Sequence, residues 1–278
     1  IAPLKMDHHS TEMLMYFVER GIPTYATIVP NAGLTAPLSL GACLAQHVAE
    51  FLAVAVLMQM VKPHTPVMFN SLPTVADLRT GAYAPGGVEC GLLHMACAQM
   101  ARYFNVPCGG YVGQTNSKLP DAQAGYERSV SATGGMLAGM DMLQIGGLIE
   151  ALMTFDYAQL AIDNEIALML TRIKRGIEYN SEEVAEALEE TKDVGPGGVF
   201  METPLTMKNL RSLQYLPMIA DRNSRIAWES AGSKDAASRA LDFVKEILSH
   251  DNPHAIDDET DHKIRQEFPD LLPGISKL

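Results

Sequence analysis

Clustered Lys and Arg are missing from this chain, and acidic residues outnumber basic ones 33 to 21, for a formal charge of −12. Phosphate backbones are held by grouped cations, so nucleic acid is not an expected partner. Cysteine is scarce. Cys43, Cys90, Cys97 and Cys108 make no C-x-x-C pair, and they read as reduced, buried thiols of a cytoplasmic protein. Long uninterrupted apolar runs are lacking too. The most apolar stretch, Leu38–Val61, is broken by Gln46, His47, Glu50 and Gln59. A bilayer span wants about 20 apolar residues with few interruptions, so this stretch predicts a buried helix and no membrane partner. The start, Ile1-Ala2-Pro3-Leu4, has no basic n-region and no initiating Met, which is expected of a chain processed or cut from a longer one.

Catalytic signatures are equally thin. There is no H-E-x-x-H and no Cys/His cluster, so no metal site is expected. No G-x-S-x-G elbow occurs. Gly109-Gly110-Tyr111-Val112-Gly113 falls within a strand candidate rather than at a strand-to-helix turn, so it is no dinucleotide fingerprint. The acidic group Asp257, Asp258, Glu259 and Asp261 reads as a solvated face.

What is present is ordinary globular material, 47% apolar and 19% charged, enough to bury a sizeable core. Over residues 1–176 a short apolar run, a polar or glycine-rich turn and a long apolar-periodic segment recur. The short runs are Thr24–Pro30, Val67–Asn70, Val106–Val112 and Met140–Ile145. They show little alternation, as expected of strands buried on both faces. Helices are predicted at His8–Arg20, Leu38–Val61, Gly87–Phe104, Asp121–Ala138 and Ala151–Arg175. This is the rhythm of four βα units with a parallel sheet, either an open doubly wound sheet or half of a (β/α)₈ barrel. Residues 177–278 read as a mainly helical region, broken at Gly195-Pro196-Gly197-Gly198, and the whole as one domain.

In either architecture the loops at the carboxyl ends of the strands hold the site. Here they are rich in amides and glycine: Pro30–Gly33, Asn70–Pro73, Gly113–Lys118 and Gly146-Gly147. Such loops are poor in strong acids and bases, so positioning rather than proton transfer should dominate. The strand-end aromatics Phe69, Tyr83, Tyr111 and Tyr126 suit a quaternary ammonium ligand through cation–π attraction, with core packing as the other reading.

Residues Gly109–Glu127, above all Lys118-Leu119-Pro120-Asp121-Ala122-Gln123-Ala124-Gly125-Tyr126-Glu127, resemble the trimethylamine methyltransferase superfamily. So do Asp77–Ala82, Ala161–Glu165 with Arg175–Ile177, Val194–Gly198, Asp221-Arg222 and Trp228-Glu229. The resemblance implies a TIM-type barrel, of which this chain is the C-terminal half plus a helical extension. It implies methyl transfer from a methylated amine to a cobalamin-type corrinoid carried by a separate protein. By the same resemblance, Asn31, Phe69, Asn70, Tyr111, Gln114 and Gln144 line the substrate pocket. Thr115, Asn116, Ser117, Lys118, Asp121, Gly146 and Gly147 lie near the docked corrinoid. Asp121 reads equally as a helix cap, and Asp77 with Arg79 as a structural pair. Nothing marks a pyrrolysine, so the chain looks like a betaine-type member, whose quaternary substrate already has a neutral leaving group. Gln144, Val199 and Leu205 stand where members often have His, which points to a different substrate or to a degenerate protein that only binds an amine. An unrelated TIM-barrel enzyme is a further alternative. A half barrel leaves sheet edges open, so a second copy or missing chain is expected to cover them.

Overall fold

The computed structural model describes residues 3–250 and 256–269. In chain order, α1 (His8–Arg20) leads to β1 (Thr27–Ile28), β2 (Asn31–Ala32) and α2 (Leu40–Val61). Then come β3 (Phe69–Ser71), β4 (Thr74–Asp77), β5 (Ala82–Tyr83), α3 (Val88–Tyr103), β6 (Cys108–Gly110) and α4 (Ala122–Leu137). The short strands β7 (Met142–Leu143), β8 (Leu148–Ile149) and β9 (Thr154–Phe155) precede α5 (Tyr157–Arg175). Helices α6 (Ser181–Val194), α7 (Pro204–Asn209), α8 (Arg225–Ser230), α9 (Ala236–Leu248) and α10 (Asp258–Glu267) follow.

The main sheet is parallel, with its strands in chain order: β1, β3, β6, β7. Each of α1 to α5 packs against the next, so the helices form one continuous layer. The fold is therefore α/β, as the βα rhythm predicts, but not doubly wound. Both ends of the predicted helices come from readable chemistry. Asp7, Asp121 and Asp156 cap α1, α4 and α5 by accepting from backbone N–H groups, and Gly21 closes α1 in a left-handed conformation at φ 70°.

Register divides the strand residues into two rows. Thr27 pairs with Asn70, Asn70 with Gly109, and Gly109 with Met142. Ile28, Ser71, Gly110 and Leu143 form the next row. Because side chains alternate along a strand, one row faces the helices and the other faces away. Ile28, Phe69, Cys108 and Leu143 pack with Phe51, Val54, Met58, Cys97 and Ala101 of α2 and α3 in the main core. Helix α2 is long and apolar enough to cross a membrane. In this fold it lies between α1 and α3 and buries Cys43, His47, Glu50, Phe51, Val54 and Met58.

Two departures from the sequence reading matter for the site. The segments after β1 and β3 are not plain loops: β2, β4 and β5 make a second, three-stranded sheet at the carboxyl end of the main one. Helix α5 begins at Tyr157 rather than Ala151. The intervening residues form the antiparallel pair β8–β9, and Glu150, Ala151 and Leu152 have φ of 52°, 53° and 76°. Three consecutive left-handed non-glycine residues are strained, and no sequence pattern announces them.

Candidate active site

The inner face of the sheet, away from the helices, is polar where the outer face is apolar. Asn70 donates to Thr27 Oγ1 at 2.8 Å. Gln144 Nε2 donates to the Tyr25 hydroxyl at 3.0 Å and to Asn70 Oδ1 at 3.4 Å. Tyr25, Thr27, Asn70 and Gln144 thus join β1, β3 and the end of β7. Gly109 between them has a steric reason: a Cβ there would lie 2.6 Å from Asn70 Oδ1, well inside contact distance.

Beside this network opens a cavity of about 490 Å³, lined by Tyr25, Tyr111, Gly113, Gln114, Met142, Gln144, Ile145 and Gly146 among others. Arg128 is its sole charged lining residue. Gln114 Oε1 and Gln144 Oε1 are buried acceptors without a partner, a costly state that a ligand would relieve. The cavity is therefore free of lining carboxylates, partly aromatic, and supplied with unspent amide oxygens.

Arg128 is locked beneath it. Its Nη1 pairs with Asp163 Oδ2 at 2.8 Å, both side chains being essentially unexposed. The guanidinium also donates to the carbonyls of Gly113 and Leu148. Asp163 in turn accepts from Gly147 N at 2.6 Å and from Gln159 Nε2 at 2.8 Å. Burial pushes the Asp163 carboxyl up and pulls the Arg128 guanidinium down, each opposed by the other's charge. The pair clamps the loops after β6 and β7 to α4 and α5.

The loop after β6 is held just as firmly. Glu127 accepts from Thr115 Oγ1 at 2.6 Å, Asn116 N at 2.8 Å and Gln123 Nε2 at 2.9 Å. Asn116 bridges to the β5 region through Tyr83 O and Gly86 N. Ser117 donates to Asp121 Oδ1 at 2.8 Å, and Asp121 accepts from Ala124 N at the start of α4. The strained turn contributes here: Glu150 N donates to Ser117 O and Ala151 N to Thr115 O.

The structure thus brings together Asn70, Tyr111, Gln114, Gln144 and Gly146 of the residues expected at the site. Thr115, Asn116, Ser117 and Asp121 form the adjoining braced loop, where Lys118 bonds Asn116 O at its exposed edge. Gly147 is a ligand of the buried pair. Two expected pocket residues lie elsewhere. Phe69 faces the helices, stacked on His47 at 5.1 Å and tilted on Phe51 at 4.5 Å, because period-two alternation puts Asn70 on the inner side. Asn31 sits in the second sheet and does not line the cavity. Its backbone carbonyl accepts from Leu34, Thr35 and Ala36. Asp77 and Arg79 form an exposed pair at 2.7 Å, and Arg79 holds the Asp77 carboxyl down at about 2. Sequence reasoning missed Tyr25, Arg128 and the clamping role of Asp163. A charged residue on the inward face of an otherwise apolar-periodic helix was the available signal for Arg128 and Asp163.

Among the described residues, no group of three or more His, Cys, Asp or Glu side chains is placed to hold a metal ion. A model of the trimethylamine methyltransferase family matches residues 1–269. The glycine betaine methyltransferase of Desulfitobacterium hafniense (strain Y51) is 34% identical over 266 residues, which make up 95% of this chain and 55% of that protein. The trimethylamine methyltransferase of D. hafniense (strain DSM 10664 / DCB-2) is 31% identical over 255 residues, 92% of this chain and 51% of that one. The corresponding enzyme MttB1 of Methanosarcina acetivorans is 32% identical over 249 residues, 90% of this chain and 50% of that one. The chain spans about half the length of these curated relatives.

Proposed function

The chain belongs to the trimethylamine methyltransferase family, and from that premise we propose that it serves methyl transfer from a quaternary or tertiary methylamine of the betaine kind to a corrinoid on a separate protein. The observation that carries this reading is the carboxylate-free cavity, whose one cationic lining residue, Arg128, is held by Asp163. It offers Tyr25 and Tyr111 rings, the amides Gln114 and Gln144, and no carboxylate among its lining residues. A trimethylammonium group fits such a surface, with its polarised methyls against amide oxygens and ring faces. A carboxylate beside it would stabilise the cationic ground state, which is lost as the amine leaves neutral, and would raise the barrier. With a quaternary substrate no general acid is needed, and alignment is the protein's main contribution.

A reduced corrinoid supplies the nucleophile when its carrier docks. The braced Thr115–Asp121 loop and Gly146-Gly147 are the surface we assign to that carrier. Their many internal hydrogen bonds support a preformed platform rather than a mobile lid. We further propose that the four-stranded sheet is half of an eight-stranded barrel in one methyltransferase domain, supported by its chain-order strands and single helix layer. A cytoplasmic setting is part of the same proposal, supported by four unpaired, buried cysteines.

The test mixes the purified chain with chemically reduced cobalamin and a panel of betaines and methylamines, and follows methylcobalamin by absorbance. Growth of the product with one compound is expected, lowered by Gln144→Leu. Calorimetric binding without transfer would reduce the role to amine binding, and absence of both would sink the reading.

A further inference from the structure

An amide has two ends of opposite polarity. Its oxygen attracts a cation and its N–H groups repel one, so the rotation of Gln144 about its last side-chain bond decides what the cavity accepts. Hydrogen bonds fix that rotation. Gln144 Nε2 carries two hydrogens, and both are engaged, one by the Tyr25 hydroxyl at 3.0 Å and the other by Asn70 Oδ1 at 3.4 Å. Asn70 is fully buried and is itself oriented, since its Nδ2 donates to Thr27 Oγ1 at 2.8 Å. Its oxygen is therefore the end turned toward Gln144. Gly109 leaves the space for it, because a Cβ there would lie 2.6 Å from Asn70 Oδ1. With both N–H groups engaged, Oε1 is the end of the Gln144 amide left over, buried and without a partner.

The two restraints are unequal. The bond to Tyr25 has an ordinary N–H···O length, whereas 3.4 Å to Asn70 lies at the outer limit of such contacts. The main chain does not depend on either. Gln144 N donates to Gly110 O at 2.8 Å, and Gln144 O accepts from Gly113 N at 3.4 Å, so the residue stays tied to the strand end whatever its amide does. Only the direction of the amide hangs on the Tyr25 hydroxyl, and Tyr25 and Gln144 line the same cavity.

Resting on the amine-binding reading of this cavity, we propose that Tyr25 is a positioning residue that sets the preference for a quaternary ammonium group over an uncharged group of the same shape. It acts through Gln144. Pinned by the hydroxyl, Oε1 meets the polarised methyls of a trimethylammonium group with no reordering of the side chain. The same pinned oxygen disfavours a neutral tert-butyl group, which leaves it buried with no partner at all. Without the hydroxyl, the amide turns its oxygen away from a neutral occupant and has to be ordered again for a cation. Both changes bring the affinities for the two ligands together.

Calorimetric titration of the full chain tests this with two probes, glycine betaine and 3,3-dimethylbutanoate. The second keeps the carboxylate and the shape but has carbon in place of the charged nitrogen. The wild-type chain should favour glycine betaine by at least about 10-fold. Tyr25→Phe keeps the ring and should narrow that ratio at least about 5-fold. Gln144→Leu removes the amide and should narrow it by at least as much, and Tyr25→Phe added to Gln144→Leu should narrow it no further. If Tyr25→Phe weakens both ligands equally and leaves the ratio intact, Tyr25 only packs, and the proposal falls while the amine-binding reading stands. Narrowing that adds up in the double variant overturns it too, because Tyr25 would then act on the ligand without Gln144. A wild-type chain that binds neither probe, or both alike, overturns the amine-binding reading and this proposal with it.

Discussion

Arg128 and Asp163 meet at 2.8 Å with exposures of 0% and 1%, directly beneath the cavity that Gln114 and Gln144 line. The pair does not earn its place through net charge stabilisation, since burial opposes the charged form of both partners. Its value lies in the carbonyls and N–H groups it gathers from two loops. Arg128→Met is expected to cost about 3–5 kcal/mol, because it strands a buried carboxylate. The double variant Arg128→Met/Asp163→Leu should recover much of that stability. It should not recover amine binding, because Gly113, Gly147 and Leu148 lose their common anchor. Denaturant unfolding of the single and double variants, with calorimetry on the double, checks both halves.

Acid should destabilise the fold in a window set by two histidines. His47 is stacked on Phe69 with Cys97 Sγ 3.8 Å from its Nδ1. His94 Nδ1 lies 2.8 Å from Cys90 O. Burial, with the neighbouring His94 adding to it, pulls His47 down to about 3, and burial pulls His94 down to about 4. Unfolded histidine titrates near 6.5, so the unfolded chain takes up protons that the folded one refuses. Stability is then full above pH ~6.5 and falls between about 6.5 and 4, by roughly 2 kcal/mol per histidine at pH ~5. Thermal midpoints measured across this range should decline, and His94→Leu should flatten the decline. A midpoint constant from pH ~7 to ~5 would show that neither group is held neutral.

Gln144 reaches Tyr25 and Asn70 from a half-buried position, and its Oε1 has no partner. Gln144→Leu is expected to lower kcat/KM for methyl transfer, or the amine affinity where binding alone is measured, by about 10–100-fold. Stability should change by less than about 1 kcal/mol, since the side chain is not in the packed core. Gln144→His, restoring the residue that the family resemblance associates with this position, should shift preference among the amines. Activity and a unfolding curve for each variant separate the two effects.

How much of this could be read beforehand follows from which signals are local. The parallel strands and helices α2 to α4 came from periodicity, and caps such as Asp121 and Gly21 state themselves in two or three residues. Strand faces were not legible. Phe69 and Asn70 are neighbours in sequence, yet one enters the core and the other the site, and a three-residue strand has too few positions to display its phase. Tyr25 reaches Gln144 across 119 residues, a pairing that only register creates. The left-handed turn at Glu150–Leu152 has no glycine to betray it. The Arg128–Asp163 clamp depends on the relative rotation of α4 and α5, which no spacing within either helix encodes.

Glu165 supplies the last test, because it fastens the C-terminal region to α5. Its Oε2 accepts from Met218 N at 2.9 Å and Ile219 N at 2.6 Å, and its Oε1 from Ala220 N at 2.9 Å. Ile219, so held, packs with Ala158, Ala161 and Ala240, joining α5 to α9. A carboxylate can accept all three N–H groups at once, whereas an amide offers only one acceptor oxygen. Glu165→Gln should therefore leave at least one of these N–H groups, two of them only part-buried, unpaired, at a cost of about 1 kcal/mol. The loss should be regional: cleavage by a protease within residues 214–235 should accelerate about 5–100-fold, while amide exchange in β3 and β6 stays slow. Unchanged cleavage in the variant would mean that the apolar contact of α9 with α5 holds the region without this anchor.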